Sequence, residues 1–205
     1  MKKEMIYLRP MFTGIIESTG LVKEVITNGS NRTFWIVSTL SPQLKIDQSV
    51  SHSGICLTVE EIKENCHRVT AIDETLQKTN IGDWEKGSLI NLERCLQLNA
   101  RIDGHLVQGH VDATAICTKR KEKKGSWEFE FEFSKKFAEM IIEKGSICIN
   151  GISLTAFNVK KKNFEVAIIP YTFEYTNIKE VQKGDSVNLE FDMIGKYLLR
   201  KIAVG

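Results

Sequence analysis

No run of these 205 residues reaches the roughly 18 apolar positions of a membrane-spanning helix, and Met1 to Pro10 has neither the apolar core nor the small-residue cleavage site of a secretory signal. A cytoplasmic protein with no membrane partner is expected. Cysteine is sparse: five residues, an odd number with no CxxC pair, fit thiols kept reduced better than a disulfide framework, and they make zinc an unpromising ligand. Charge of one sign is lacking too. A net charge of +2 gives no reason to bind nucleic acid or an anionic surface. Neither a Walker loop nor a GxGxxG fingerprint occurs, so the usual cradles for nucleotide phosphates are missing.

What the sequence has instead is a repeat. Gly151-Ile152-Ser153-Leu154-Thr155 restates Gly54-Ile55-Cys56-Leu57-Thr58 at an offset of 97 positions. The same offset carries Thr79-Asn80-Ile81 onto Thr176-Asn177-Ile178 and Asn91-Leu92-Glu93 onto Asn188-Leu189-Glu190. Nearer the front, Gly14-Ile15-Ile16-Glu17 falls on Gly109-His110-Val111-Asp112 at an offset of 95. A repeat this long means two domains rather than a solenoid. With 42% hydrophobic and 26% charged residues, each copy of about 95 residues can bury a modest core. The expected division is an extension over 1–10, with Met11 as a candidate start, one unit over 11–105, a second over 106–192, and a tail over 193–205.

Both copies read as β-structure. In the first, residues 15 to 26 predict a strand broken at Gly20, and Asn28-Gly29-Ser30-Asn31 predicts a turn into a strand over Thr33 to Val37. Ser41-Pro42 carries the signature of a short capped helix. Strands are expected again at Gly54 to Val59, Arg68 to Ile72 and Ser88 to Glu93, about six per copy. In the second copy Trp127, Phe129, Phe131 and Phe133 alternate with three glutamates, placing the aromatics on one face. The basic run Lys119 to Gly125 reads as a solvated hairpin beside those glutamates. Ser134 is expected to cap a short helix with Phe137, Met140 and Ile141 on one stripe and Gly145 as its stop. Ile194, Tyr197, Leu198 and Ile202 have helical spacing on a tail that needs a surface to cover, and another subunit is a natural one.

Regular short strands with turn signals indicate an all-β chain, a small antiparallel barrel written twice. An oligonucleotide-binding barrel would need a basic groove and exposed stacking aromatics, and this chain has near-neutral charge and a single aromatic face. In the repeated strand Ser153 and Thr155 share one face, as do Cys56 and Thr58, while the apolar residues between them face the other way. Retention of that pattern in both copies favours pocket walls, and the glycine before each strand allows close approach of a ligand or another backbone. His110 and Asp192 stand where the first copy has Ile15 and Cys95, so both are particular to the second copy. His105 and His110 make a poor metal pair because no third ligand accompanies them. Cys66, Cys117 and Cys148 read as small core residues.

The opening Met11-Phe12-Thr13-Gly14-Ile15-Ile16-Glu17, the strand Gly54 to Val59, the junction Gly104-His105-Leu106-Val107-Gln108-Gly109-His110-Val111-Asp112 and the run Asn150 to Thr155 together resemble riboflavin synthase of the alpha-chain type. The resemblance covers Met11 to about Lys201. It implies a tandem pair of six-stranded Greek-key barrels with a short C-terminal helix, assembled as a homotrimer. It also implies dismutation of two 6,7-dimethyl-8-ribityllumazine molecules to riboflavin and 5-amino-6-ribitylamino-pyrimidinedione, with no metal or organic cofactor. Association with lumazine synthase is a further implied partnership. Fluorescent antenna proteins resemble this family throughout and hold one lumazine or flavin without turnover, losing polar residues from one pocket. Here His110, Ser153 and Asp192 are retained.

Carried over residue by residue, the resemblance assigns Gly14, Ile15, Ile16, Cys56, Leu57, Thr58, Thr70, Ala71, Ile72, Asp73, Glu74 and Thr75 to the first lumazine pocket. Gly109, His110, Val111, Lys144, Ser153, Leu154, Thr155, Ile169, Pro170, Tyr171, Thr172, Phe173 and Glu174 go to the second. His110, Ser153, Asp192 and Cys56 are the polar groups it places near the reacting carbons. The pyrimidinedione edge offers acceptor, donor, acceptor, which strand backbone meets in kind, with Thr75 and Thr172 adding hydroxyls. Lys144 is the candidate partner for the ribityl chain. The family often has asparagine where this chain has Ser53.

Overall fold

The computed structural model describes residues 11–205, and the expected extension over 1–10 lies outside the described residues. The first copy folds as β1 (Ser18–Asn28), β2 (Asn31–Val37), β3 (Ser49–His52), β4 (Ile55–Thr58), β5 (Glu61–Lys63), β6 (Cys66–Ala71) and β7 (Leu89–Arg94). Their order in the sheet is β4-β3-β7-β1-β2-β6-β5. The second copy gives β8 (Ala113–Lys123), β9 (Ser126–Glu132), β10 (Ser146–Ile149), β11 (Ile152–Phe157), β12 (Asn163–Ile168) and β13 (Ser186–Phe191), closed into a barrel β10-β11-β12-β9-β8-β13. The two orders are the same once β5, a short hairpin strand with no counterpart, is set aside. What differs is closure. The second barrel pairs β11 with β12 at Ala156↔Val166 and Phe157↔Glu165, whereas the first is curled and joined beyond β4 by Glu60 N–H donating to Arg68 O at 2.9 Å.

Register repeats as faithfully as order. A bulge falls between Val22 and Glu24 in β1 and between Cys117 and Lys119 in β8, 95 positions apart. Such a bulge sharpens the local twist that lets a six-stranded sheet curl. The aromatic alternation of β9 behaves as its period requires, with Phe129 and Phe131 fully buried and Phe133 nearly so. The basic run lies along the β8–β9 hairpin, where Lys123 pairs with Glu128 at 2.9 Å. Gly20 does not break β1. A Cβ there would lie 2.7 Å from Ile36 Cγ2 and 3.0 Å from Leu92 Cδ1, so the missing side chain admits its neighbours on the sheet.

Two serine caps read from the sequence do not form. Ser41 opens a single 3-10 turn, Ser41–Gln43, and its hydroxyl instead meets His67 Nδ1 at 2.8 Å. Ser134 precedes a 3-10 stretch, Lys135–Met140, without a capping bond, and that stretch ends well before Gly145. The left-handed residue there is Lys144, at φ +62°. Two short helices carried no helical periodicity: α1 (Asp73–Lys78) and α2 (Pro170–Tyr175), equivalent across the repeat. The tail forms α3 (Met193–Val204), whose first N–H groups are capped by Asp192 Oδ1 accepting from Ile194 N–H at 2.9 Å. Its apolar stripe, Ile194, Tyr197, Leu198 and Ile202, is exposed. No helix among the described residues is long and apolar enough to cross a membrane.

Each barrel has its own core, and a third, smaller cluster of Phe12, Val107 and Cys148 with Cys56 and Cys95 lies between them. The copies are related by a local two-fold. Phe12 and Val107 exchange backbone hydrogen bonds at 2.7 and 3.0 Å, and Gly54 and Gly151 touch so closely that a Cβ on either would lie 2.8 Å from the other's backbone nitrogen. Asparagines seal this seam. Asn80 N–H donates to Asn188 Oδ1 at 2.8 Å, and Asn177 N–H donates to Asn91 Oδ1 at 2.7 Å.

Candidate active site

The segment ahead of each barrel docks on the other barrel. Ser153 N–H on β11 donates to Gly14 O, and Cys56 N–H on β4 donates to Gly109 O, both at 2.8 Å. Gly14 and Gly109 take φ of +77° and +74°, and a Cβ at either would lie 2.6 Å from the Cβ of Ser153 or Cys56. Only glycine allows both the turn and the approach. Ile16 consequently packs on the second core and Val111 on the first.

This crossing rearranges the expected pockets. Gly109, His110 and Val111, assigned from the sequence to the second pocket, join Ile55, Cys56, Glu74, Thr75, Lys78 and Thr79 around a cavity of about 240 Å³ on the first barrel. Gly14 sits against Ser153, and Ile16 lies on the second barrel with Leu154 and Phe173. Ile15 is exposed and lines a larger cleft of about 680 Å³ with Thr13, Glu17, Lys45, Arg94 and Arg101. The physical reason is the Phe12↔Val107 bridge, which pairs the two leading segments and directs each across the seam. Alignment of a repeat with itself gives equivalence, and says nothing of whether equivalent pieces dock within a copy or between copies.

The remaining assigned residues keep their places on one barrel or the other. On the first, Leu57 is buried and Thr58 exposed on β4, and Thr70 Oγ1 meets Thr33 Oγ1 at 2.9 Å and Glu60 Oε2 at 3.0 Å, next to buried Ala71. Ile72 is exposed ahead of Asp73, Glu74 and half-buried Thr75 in α1. On the second, Thr155 is exposed on β11, Ile169 and Tyr171 are exposed, and Pro170, Thr172 and Glu174 lie on α2 with Phe173. Phe173 stacks on Trp127 with centroids 3.7 Å apart. Lys144 is exposed, its Nζ 5.4 Å from the Phe157 ring.

Chemically the two sides differ. Burial holds the Cys56 thiol above its usual range, and burial together with Cys56 and Glu93 pushes Cys95 up to about 11. Neither is a ready thiolate at neutral pH. On the second barrel Ser153 Oγ lies 2.7 Å from His105 Nδ1, and His105 is nearly buried. Burial lowers the His105 pKa while the Asp192 charge opposes it, so Asp192 is near enough to act on the imidazole. A neutral imidazole bonded to a hydroxyl can take or return that hydroxyl's proton. From the sequence His105 stands in the junction motif and makes a poor metal ligand, and nothing there pairs it with Ser153. Comparison of the two copies could not have found it, because the position at the offset of 95 is Pro10, in the extension ahead of the first copy. Among the described residues no three of His, Cys, Asp and Glu converge as metal ligands.

A sequence profile of the lumazine binding domain matches the chain twice, over residues 13–95 and 108–192. Riboflavin synthase of Bacillus subtilis (strain 168) is 37% identical over 93% of this chain and 89% of its own length. That of Actinobacillus pleuropneumoniae is 37% identical over 92% of this chain and 88% of its own. Among solved structures, LumP complexed with riboflavin matches with a TM-score of 0.83 over 88% of this chain and 98% of that one, at 21% identity, a likeness of fold. The two matches to the lumazine binding domain and the close similarity to these curated enzymes show that the chain belongs to the riboflavin synthase family.

Proposed function

We propose that this chain converts two molecules of 6,7-dimethyl-8-ribityllumazine into riboflavin and 5-amino-6-ribitylamino-pyrimidinedione. The observation that carries the reading is the local two-fold: a reaction between two copies of one substrate calls for two like pockets, and the chain builds Gly109 on Cys56 and Gly14 on Ser153 with the same backbone bond. A four-carbon unit passes from one ring to the other, and the donor leaves as the pyrimidinedione. Holding the two rings in register can supply roughly 7–11 kcal/mol of the barrier. The remainder is proton traffic, in which a ring methyl gives up a proton and the partner ring accepts a nucleophile.

In this reading Ser153, backed by His105 and Asp192, handles protons in the second pocket, and His110 beside Cys56 serves the first. Thr75 and Thr172 meet the pyrimidinedione edges and Lys144 the ribityl chain. Residues 11–105 and 106–192 act as the two lumazine-holding units, each borrowing one wall from the other. The exposed stripe of α3 is the surface through which we expect a homotrimer, with each catalytic centre formed by the first barrel of one subunit and the second barrel of its neighbour. We place the enzyme in the cytoplasm. Sedimentation tests the trimer, and co-sedimentation tests association with lumazine synthase. The deciding experiment is incubation of the purified chain with 6,7-dimethyl-8-ribityllumazine alone, riboflavin being followed by absorbance. One tightly held ligand per chain without turnover would favour a non-catalytic carrier.

A further inference from the structure

Two buried carboxylates stand apart from the groups assigned to chemistry and yet reach both pockets. Glu93 on β7 accepts from Thr13 N–H and Thr13 Oγ1, each at 2.7 Å, and from Gly14 N–H at 3.0 Å. Glu190 on β13, its counterpart 97 positions on, accepts from Gln108 N–H at 2.6 Å and His110 N–H at 3.0 Å. Each glutamate is therefore rooted in one barrel and grips the segment that docks on the other. The turn tied at both ends by Glu190 is the one whose Gly109 carbonyl accepts from Cys56 on the first barrel. A buried carboxylate is costly unless well hydrogen-bonded, so its presence at equivalent positions of both copies marks the grip itself as the purpose.

We propose that Glu190 is a positioning residue that sets His110 into the wall of the first pocket from the second barrel, and that Glu93 does the same for Gly14 beside Ser153. The groups facing Glu190 are Lys196 from α3, Asp112 from the tied segment, Cys148 from the paired strand β10 and Cys56 from β4. Lys196 Nζ is itself engaged by Asp112 Oδ2 at 2.5 Å. Burial raises Glu190 to about 7, with the two backbone donors and Lys196 opposing it and Asp112 adding to it. Ionised, the carboxylate gives each N–H its own acceptor oxygen. Protonated, one oxygen carries a hydrogen, and one of the two bonds weakens. The grip on His110 thus tightens as pH rises through about 7.

The role given to His110 rests on the function proposed above, so the test reads a quantity that needs no turnover. Backbone amide exchange is measured in the full chain for wild type, Glu190→Gln and Glu93→Gln. Glutamine keeps one acceptor oxygen, and Glu190→Gln should speed exchange at Gln108 and His110 about 10-fold or more, the loss of one bond to a charged group. Thr13 and Gly14 should be unaffected, and Glu93→Gln should reverse the pattern. If glutamine prevents folding, Glu190→Asp, which keeps the charge and shortens the reach, should show the same crossed pattern at smaller amplitude. With lumazine as substrate, the wild-type rate should fall as pH drops through about 7 and that fall should be absent from Glu190→Gln. Exchange unchanged in the variants, acceleration spread equally over both segments, or an acid fall that survives in Glu190→Gln would overturn the proposal. A wild-type chain that makes no riboflavin would remove the enzymatic reading and leave the exchange result to decide this one.

Discussion

The second barrel is closed and filled with aromatics, while the first is curled open and keeps polar groups where its twin has hydrocarbon. The sharpest contrast lies at His52 and His67 of the first copy, both fully buried, whose counterparts in the second are Ile149 and Phe164. At the pockets the difference runs the other way: the first presents Cys56, a thiol held protonated, and the second presents Ser153 hydrogen-bonded to a histidine. The bulge, the left-handed glycines, the seam asparagines and the gripping glutamates recur in both. Duplication has kept the devices that dock one copy on the other and let Cys56 and Ser153 and the groups beside them diverge, which suits the proposed reaction, where two identical substrates must play unlike parts.

The largest expected effects fall on the proton-handling groups. Ser153→Ala and His110→Ala should each slow turnover by about 10² to 10⁴ while weakening lumazine binding far less. His105→Ala should match Ser153→Ala, and the double variant should be little worse than either, because the two act as a unit. Cys56→Ala should cost much less. Single-turnover rates at saturating lumazine, set beside fluorescence titration, check this; near-wild-type rates for Ser153→Ala and His110→Ala would reduce both to pocket walls.

Separating the barrels gives the next largest effect. A chain of residues 11–105 ends before Gly109, so its Cys56 strand loses the acceptor and the wall that the second copy supplies, while its own Gly14 segment loses Ser153. Two such halves can restore both contacts to each other across the same two-fold. The half should therefore bind lumazine as a dimer, with affinity that falls on dilution, and should form no riboflavin. A fold of about 95 residues with an uncovered seam is marginal alone, which also favours the pair. Sedimentation with fluorescence titration on one sample decides it: a monomeric half that binds as tightly as the full chain would break the crossing, and a half that turned over like the full chain would break the assigned chemistry.

Acid should distinguish the barrels by stability. His52 Nδ1–H donates to Val50 O at 2.9 Å, so its Nε2 accepts from His67 Nε2–H at 2.8 Å, and His67 Nδ1 accepts from Ser41. The relay is complete only while both rings are neutral. Burial lowers His67 to about 4, and burial with the neighbouring His67 lowers His52 well below its ordinary value. Unfolded imidazoles take up protons below about 6.5, so this stability is whole above that pH and is lost as pH falls toward 4, on the order of 3 kcal/mol for His67 alone. The first barrel should lose amide protection before the second as pH drops. Substituting the second copy's residues, His52→Ile with His67→Phe and Ser41→Ala, should flatten the pH dependence; equal acid lability of the two barrels would refute the account.

Much of this was legible in the residues. Period-two alternation in Trp127 to Phe133 and the offset of 97 specify strands and duplication because side-chain direction alternates rigidly along a strand. Apolar spacing likewise disclosed α3. Local signals misled where a tertiary partner outbid them: Ser41 had a cap-like sequence, and its hydroxyl went to His67. Gly20 looked like a break and proved to be a packing site against Ile36 and Leu92. The sequence singled out the repeated strands and the segments ahead of them, but how these group depends on which copy each glycine segment crosses to, and nothing in a self-alignment encodes that. His105 and the two glutamates act through bonds to backbone or to another side chain far along the chain, which pattern reading does not reach.

The smallest predicted effect repairs an asymmetry in the seam. Asn177 Oδ1 accepts from Asn91 Nδ2 at 2.8 Å and from Asn150 Nδ2 at 3.4 Å. Its counterpart, Asn80 Oδ1, is buried without a partner. Both donors are missing on this side: Asn188 Nδ2, the counterpart of Asn91 Nδ2, donates to Ser53 O at 3.0 Å, and the residue equivalent to Asn150 is Ser53, whose hydroxyl accepts from Asn91 N–H at 3.1 Å, as Asn150 Oδ1 accepts from Asn188 N–H at 2.8 Å, but which has no amide to offer Asn80. Ser53 is also left-handed, at φ +47°, as Asn150 is at +46°, and asparagine tolerates that conformation better than serine. The matching site around Asn150 accommodates the larger side chain in the same setting, against the same pair of glycines. Ser53→Asn should therefore satisfy the orphaned oxygen and add about 1 kcal/mol, a rise in Tm of about 2–4 °C for a chain of this size. Asn80→Ala in the wild type should cost less than Asn177→Ala, since one loses a half-used amide and the other a fully bonded one. Calorimetry on the three variants would settle it: a Ser53→Asn chain that melts at or below wild type would mean that the seam is not two-fold in its energetics, whatever its geometry.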